Sequence, residues 1–223
     1  NTGGLWGRKL VGNPGERLAE SFGGGRIYET DRAETGLGLY GGRGERNVYA
    51  SDSEGREIRA DQASQIRGTT ATDGAGRPLA LYHFTPEMEF TVFDRGDTGF
   101  HVGTEQQAMK RKADLHAQRG RLFRVYVKML NPYHARLDIG SWKAPGLAMF
   151  LWSEEILTEA ERNRITALKA GDYHAPAETE LRKLLREKGY DGVVYPNSFE
   201  GKGLSYMVLD NSQILQTQII PVR

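Results

Sequence analysis

Two of the five histidines sit inside apolar, strand-like runs: His83 in Leu81-Tyr82-His83-Phe84-Thr85 and His101 in Gly99-Phe100-His101-Val102-Gly103-Thr104. A neutral imidazole donates from one nitrogen and accepts on the other, so on a strand lining a cleft it can fix a ribose hydroxyl. A third group lies near the end of the chain. There Tyr190-Asp191-Gly192-Val193-Val194-Tyr195 leads through Glu200, set among glycines and polar residues, to Ser205-Tyr206-Met207-Val208-Leu209-Asp210. This order would place one carboxylate and one hydroxyl at the rim of a cleft. Each side chain alone also has a plain structural reading, as a hydrogen-bonded core histidine or a turn acid. Histidines at 83, 101, 116, 134 and 174 form no HxH or HExxH pattern, and no carboxylate stands at ligand spacing beside His83 or His101, so no metal site is expected. The absence of cysteine excludes disulfides, Cys-ligated zinc, iron–sulfur clusters and thiol catalysis.

The elements that must carry these residues follow from pattern. Leu79–Phe84 reads as a strand, Phe90–Phe93 as a short extended piece and Gly99–Gly103 as a second strand. Thr104 is a good N-cap for a helix over Glu105–Gln118 that stops at Gly120. Arg121–Leu130 alternates as a half-buried strand ending at Asn131-Pro132. Ser153-Glu154-Glu155-Ile156 opens a helix through Lys169, and a second helix runs from Ala177 to Lys188 with Leu181, Leu184 and Leu185 on one face and Gly189 as its C-cap. Strands then follow at Gly192–Tyr195, Leu204–Leu209 and Gln216–Val222. Strands at both ends and helices between them predict an α+β domain with mainly antiparallel sheets. No Walker loop and no GxGxxG after a strand is present, which removes the usual nucleotide folds. Trp142, Phe150 and Trp152 are expected in the core, with a lid over the cleft as the other reading.

Glycine marks a boundary: of 28 glycines, 17 fall in residues 1–78, including Gly23-Gly24-Gly25 and Gly41-Gly42-Arg43-Gly44. Residues 1–78 therefore read as a glycine-rich extension, either a linker or a partly ordered arm anchored by pairs such as Leu5-Trp6 and Val48-Tyr49, and residues 79–223 as the main domain. Charge is balanced in both parts, with a net charge of +1 overall, so a non-specific duplex-binding protein is not expected, and the glycine–arginine pairs read as solvated linker. The longest apolar stretch, Ala144–Trp152, is broken by Pro145 and Gly146 and is far shorter than the ~20 residues of a membrane span. No secretory signal is visible. A start at Asn1 suits a piece of something longer.

Taken together, Tyr82-His83-Phe84-Thr85, Gly99 to Thr104 with Ala108 and Arg111, and Tyr190 through Glu200 to Asp210 with Gln213-Ile214 resemble an ADP-ribosyltransferase domain. The group is that of bacterial and phage polyvalent proteins, related more distantly to diphtheria-toxin-like and poly(ADP-ribose) polymerase domains. The resemblance covers residues ~79–223 and implies two antiparallel sheets that clasp NAD, used as a substrate without a metal. It implies that His83 holds a ribose hydroxyl, that the Phe84 main chain holds the nicotinamide amide and that Thr85 steadies the adenosine side. His101 stands where relatives stack a ring on nicotinamide; Gly103, Thr104 and Tyr206 complete the NAD site. Glu200 is the expected catalytic carboxylate, stabilising an oxocarbenium-like ribose. Two positions depart from the pattern: Phe84 replaces the usual glycine, and Ser205 occupies the position of the polymerase-branch glutamate, which makes Ser205 the other candidate for the site. The implied activity is mono-ADP-ribosyl transfer from NAD to a macromolecule, protein or nucleic acid, by a bacterial or phage effector or toxin with a possible immunity or antitoxin protein. Such a protein would act in the cytoplasm or after delivery into a host or target cell. Two other readings fit the same residues: an inactive NAD- or ADP-ribose-binding or protein-interaction module, and a ribonuclease using His83 and His101 as acid and base.

Overall fold

The computed structural model describes residues 51–90, 93 and 97–222. The glycine clusters and apolar pairs before residue 51 lie outside the described residues, as do Thr91 and Val92 of the expected extended piece.

Residues 51–78, which glycine content groups with the extension, pack onto the domain. Two short turns share one sequence, Asp-x-x-Gly-Arg, at Asp52–Arg56 and Asp73–Arg77. In each, the aspartate Oδ1 accepts two backbone N–H groups, from Glu54 and Arg56 or from Ala75 and Arg77, all at 2.9 Å. The glycine of each turn takes a positive φ, +78° at Gly55 and +76° at Gly76, which L side chains rarely adopt. Between the turns runs helix α1 (Ala60–Gln65), whose flank buries Ile58, Ala63 and Ile66 against Tyr126.

The remaining strands form two sheets. Strand β1 (Leu81–Thr85), strand β2 (Phe100–Val102), helix α2 (Glu105–Asp114), strand β3 (Gly120–Val127) and the short strand β4 (Tyr133–His134) come first. Helices α3 (Ala144–Ser153), α4 (Glu159–Thr166) and α5 (Pro176–Glu187) follow, then strands β5 (Gly192–Pro196), β6 (Leu204–Val208) and β7 (Ile214–Val222). One sheet has the order β1-β3-β7 and the other β2-β6-β5-β4. All pairings are antiparallel except β4 on β5. The predicted α+β class with mainly antiparallel sheets is the class observed.

Three differences from the sequence reading have physical causes. The helix expected from Ser153 to Lys169 is the shorter α4, and α3 ends where it was expected to begin. Pro145 sits in the first turn of α3, where its missing N–H costs nothing, and Thr158 starts a new helix through a capping box with Glu161. Strand β3 is buried on both faces rather than half-buried, because α2 covers Leu122 and the 51–66 segment covers Arg124 and Tyr126. Helix α2 ends at Asp114, four residues short of Gln118, where His116 takes a left-handed φ of 50°.

Two apolar clusters hold the layers. The first joins Leu147, Leu151, Ile165, Leu181 and Leu185 of the helices to Val193 and Met207. The second lies between the sheets and contains Leu81, Phe100, Phe123, Val125, Val194 and Val208. Trp142 belongs to the first cluster, whereas Trp152 is over a third exposed with the Arg162 guanidinium 4.4 Å above its ring. Among the described residues no helix is long and apolar enough to cross a membrane.

One buried ion pair anchors β3. Arg124 pairs with Asp52, which is wholly buried, and donates to Glu54 at 3.2 Å; Tyr126 Oη donates to Asp52 at 2.7 Å. Burial pushes the Asp52 carboxyl up, but the bonds from Tyr126, Arg124 and the Arg56 backbone outweigh it and leave the group below its ordinary value. A carboxyl lowered on folding contributes stability above its unfolded pKa and loses it as pH falls through the folded one. Asp52→Asn is therefore expected to cost about 3–5 kcal/mol at pH 7 by removing the buried countercharge of Arg124 and leaving it only the more exposed Glu54. The difference in urea midpoint between the variant and the parent should shrink below the ordinary aspartate range, ~3.9.

Candidate active site

A one-pair ladder where the two sheets meet positions the site. Tyr82 N donates to the Gly103 carbonyl at 2.7 Å, and Gly103 N returns to the Tyr82 carbonyl at 3.0 Å. One residue further along β1, His83 Nδ1 donates to the His101 carbonyl at 3.0 Å. A Cβ at Gly103 would overlap Gln107 Oε1, so a side chain there would push that amide out of its place. Beside this junction opens a cleft of about 470 Å³, walled by β1, β2, the first turns of α2, the 138–142 loop and the 195–205 segment.

His83, Phe84, His101, Gly103, Glu200 and Ser205 are brought together along this cleft. Thr85, Thr104 and Tyr206 are not among its lining residues. Thr85 Oγ1 accepts from Glu87 N at 3.2 Å, Thr104 caps α2, and Tyr206 is buried between the sheets opposite Val102. The Phe84 ring packs with Ala80, Tyr82, Ala108 and Leu122 and lies against Gly120, which commits its side chain to the core beneath α2.

The histidines have defined states. A carbonyl oxygen only accepts, so His83 carries its proton on Nδ1 and leaves Nε2 as an acceptor. Its ring lies 4.3 Å from that of Phe100 and 6.1 Å from that of Phe90. His101 Nδ1 is 2.9 Å from Tyr195 Oη, and Trp142 lies over Tyr195 at 4.0 Å between ring centroids, so three rings form one wall. Burial and the nearby Arg111 guanidinium hold both imidazoles down to about 4. Burial, reinforced by the charges of Glu200, Asp138 and Asp97, pushes the Tyr195 phenol up and keeps it protonated.

The cleft also holds polar atoms that the protein itself leaves without a partner. His101 Nε2 and Gln107 Nε2 are buried and make no hydrogen bond; with Thr98 Oγ1 they are the three such side-chain atoms among the described residues. An unmade buried hydrogen bond costs on the order of 1–3 kcal/mol, which a ligand with matching polar groups would recover. Glu200 stands at the rim, with its Oε1 3.8 Å from Arg111 Nε and its Oε2 accepting from Asn197 Nδ2 at 3.0 Å. Asp97, Asp114 and Asp138 border the same opening, and burial pushes the Asp97 carboxyl up against the pull of Lys143 and Arg111.

Comparison with known proteins fits this arrangement. A family model described as ADP-ribosyltransferase in polyvalent proteins matches residues 73–217, from the second turn to strand β7. The chain belongs to this ADP-ribosyltransferase family. Two solved structures are similar to parts of the chain. One is the M. tuberculosis MbcT–MbcA toxin–antitoxin complex, 12% identical, covering 64% of this chain and 83% of that one with a TM-score of 0.35. The other is an anti-CRISPR protein, 16% identical, covering 65% of this chain and 95% of that one with a TM-score of 0.30. No curated protein matches.

Within this ADP-ribosyltransferase domain, sequence reading gave no role to Gln107, Tyr195, Asn197 or Asp138. The signals for two of them are present: Thr104-x-x-Gln107 is a capping-box spacing, and Asn197-x-x-Glu200 places an amide three residues before the carboxylate.

The histidine states give a pH dependence. Unfolded imidazoles take up protons near 6.5, whereas these do so near 4 in the folded chain. The unfolded state then binds more protons between those values, and stability falls as pH drops from 6.5 toward 4. Asn is able to keep the donor at the Nδ1 position without titrating. Urea unfolding of His83→Asn across this window should show a slope shallower by about one proton than the parent chain.

Proposed function

We propose that this domain cleaves NAD at the nicotinamide–ribose bond and transfers ADP-ribose to a macromolecular acceptor. The observation that carries the reading is the convergence, in a member of an ADP-ribosyltransferase family, of His83, the His101–Tyr195–Trp142 wall and Glu200 on one cleft between two sheets. His83 Nε2, held as an acceptor, takes a ribose hydroxyl. The three-ring wall receives the nicotinamide ring. The orphan donors or acceptors of His101 and Gln107 answer polar groups of the dinucleotide. As the C1′–N bond breaks, its electron pair leaves with nicotinamide, and the ribose gains oxocarbenium character. The Glu200 carboxylate stabilises that charge without forming a bond, and an acceptor nucleophile then bonds C1′ and gives up its proton.

Ser205, fixed at the start of β6 and bonded to Gln107 and Asn197, acts here by holding its neighbours. The histidine-dependent ribonuclease reading loses support, since imidazoles with a pKa of about 4 are neutral at pH 7 and supply no imidazolium to act as general acid. The domain proposed to carry the activity begins at the Asp52 turn, with a protein or nucleic acid as acceptor. We place its action inside a producing or target cell, and an inhibitor protein is a fitting partner.

The test is nicotinamide release from NAD and label transfer into lysate. The full chain should release nicotinamide, and Glu200→Gln should slow release on the order of 10²-fold or more. No release by the parent chain, or undiminished release by Glu200→Gln, overturns the assignment.

A further inference from the structure

Glu200 lies five residues before Ser205 on a surface loop, and a loop carboxylate needs something to aim it. We infer that Asn197 is the positioning residue that presents Glu200 to the cleft, an inference that rests on the reading of Glu200 as the catalytic carboxylate.

Asn197 follows directly on β5 and is buried, unusually for an amide in a loop. Its side chain uses its full hydrogen-bonding capacity. Oδ1 accepts from Phe199 N at 3.1 Å and Glu200 N at 2.8 Å, which folds the loop back on itself. Nδ2 donates to Glu200 Oε2 at 3.0 Å and to Ser205 Oγ at 2.9 Å. The orientation of the amide is set by its partners, because a flip would turn the NH2 group onto two backbone donors. The backbone joins in, with Asn197 N donating to the Gly203 carbonyl at 3.0 Å across the base of the loop.

The amide is anchored from below. Ser205 Oγ donates to Gln107 Oε1 at 3.3 Å, and Gln107 Oε1 also takes Thr104 N at 2.8 Å, so the chain of bonds ends in the first turn of α2. One residue thus fixes both the backbone at Glu200 and one of its carboxylate oxygens. Only asparagine meets all the demands at this position: aspartate does not donate, serine does not reach the carboxylate, and glutamine adds a methylene to a buried site.

Two substitutions separate aiming from loop architecture. Asn197→Asp keeps the acceptor for the Phe199 and Glu200 N–H groups but puts a second carboxylate against Glu200 Oε2. Like charges at that distance raise the pKa of the pair. The other charged and titratable groups facing Glu200, Arg111 from α2, Tyr195 from β5 and Asp138 from the opposite loop, are unchanged. Asn197→Ser keeps a short acceptor for the loop and loses both side-chain donations.

The experiment measures nicotinamide release by the full chain across pH, with thermal melting and NAD binding in parallel. Both variants should melt as cooperatively as the parent, bind NAD with unchanged affinity and lose kcat on the order of 10²-fold, the scale of a misplaced catalytic group. In Asn197→Asp the acid limb of the rate profile should also move to higher pH; in Asn197→Ser it should stay in place. If Glu200→Gln is inactive while Asn197→Asp and Asn197→Ser keep the parent's rate and profile, the positioning role is wrong and the role of Glu200 stands. Loss of NAD binding together with kcat in both variants also overturns it, in favour of a purely architectural role. Full activity in Glu200→Gln removes the reading of Glu200 itself.

Discussion

Everything at the cleft depends on the short stitch between the sheets, the paired bonds of Tyr82 with Gly103 and the bond from His83 to the His101 carbonyl. It is a ladder of a single residue pair, and it works because Gly103 has no Cβ to keep Gln107 away. From it the two histidine-bearing strands acquire a fixed separation, His83 a fixed tautomer, and α2 a starting point from which Gln107 and Arg111 reach the cleft. A wider join would separate the histidines; a longer one would close the space that the cleft occupies.

Local sequence carried much of this. Strands β1, β2, β5 and β6 and helices α2 and α5 announce themselves through short apolar runs, a threonine cap and a three-leucine face, because those signals act within a few residues. His83, His101, Glu200 and Ser205 were legible as one site only as a set of motifs in order. What pattern did not reveal depends on distant partners. The alternation of Arg121–Leu130 looks half-solvated, yet Arg124 is buried because Asp52 and Glu54, more than sixty residues earlier, neutralise it. Strand β4 is two residues long and parallel, too short to leave a period. Asn197 reads as an ordinary turn residue; three of its four bonds stay within the loop, and the fourth, to Ser205, appears only once β6 stands beside it.

The cleft is chemically two-sided. Its inner part, with neutral histidines, a protonated tyrosine and tryptophan, presents rings and uncharged polar atoms, which suits a flat heteroaromatic group and a sugar. Its rim carries Asp97, Asp114, Asp138 and Glu200 against Arg111. Among these rim carboxylates, Glu200 accepts from a buried neutral amide, that of Asn197.

The twin Asp-x-x-Gly-Arg turns bear on where this folding unit starts. Similarity to the family begins at residue 73, inside the second turn. The first turn, however, supplies Asp52 and Glu54, which satisfy Arg124, Tyr126 and Tyr82 on the outer face of the β1-β3-β7 sheet. The family match therefore begins some twenty residues after side chains that this sheet uses. A segment that looks dispensable by resemblance is the counter-charge without which the central strand of that sheet would hold a bare guanidinium in its core.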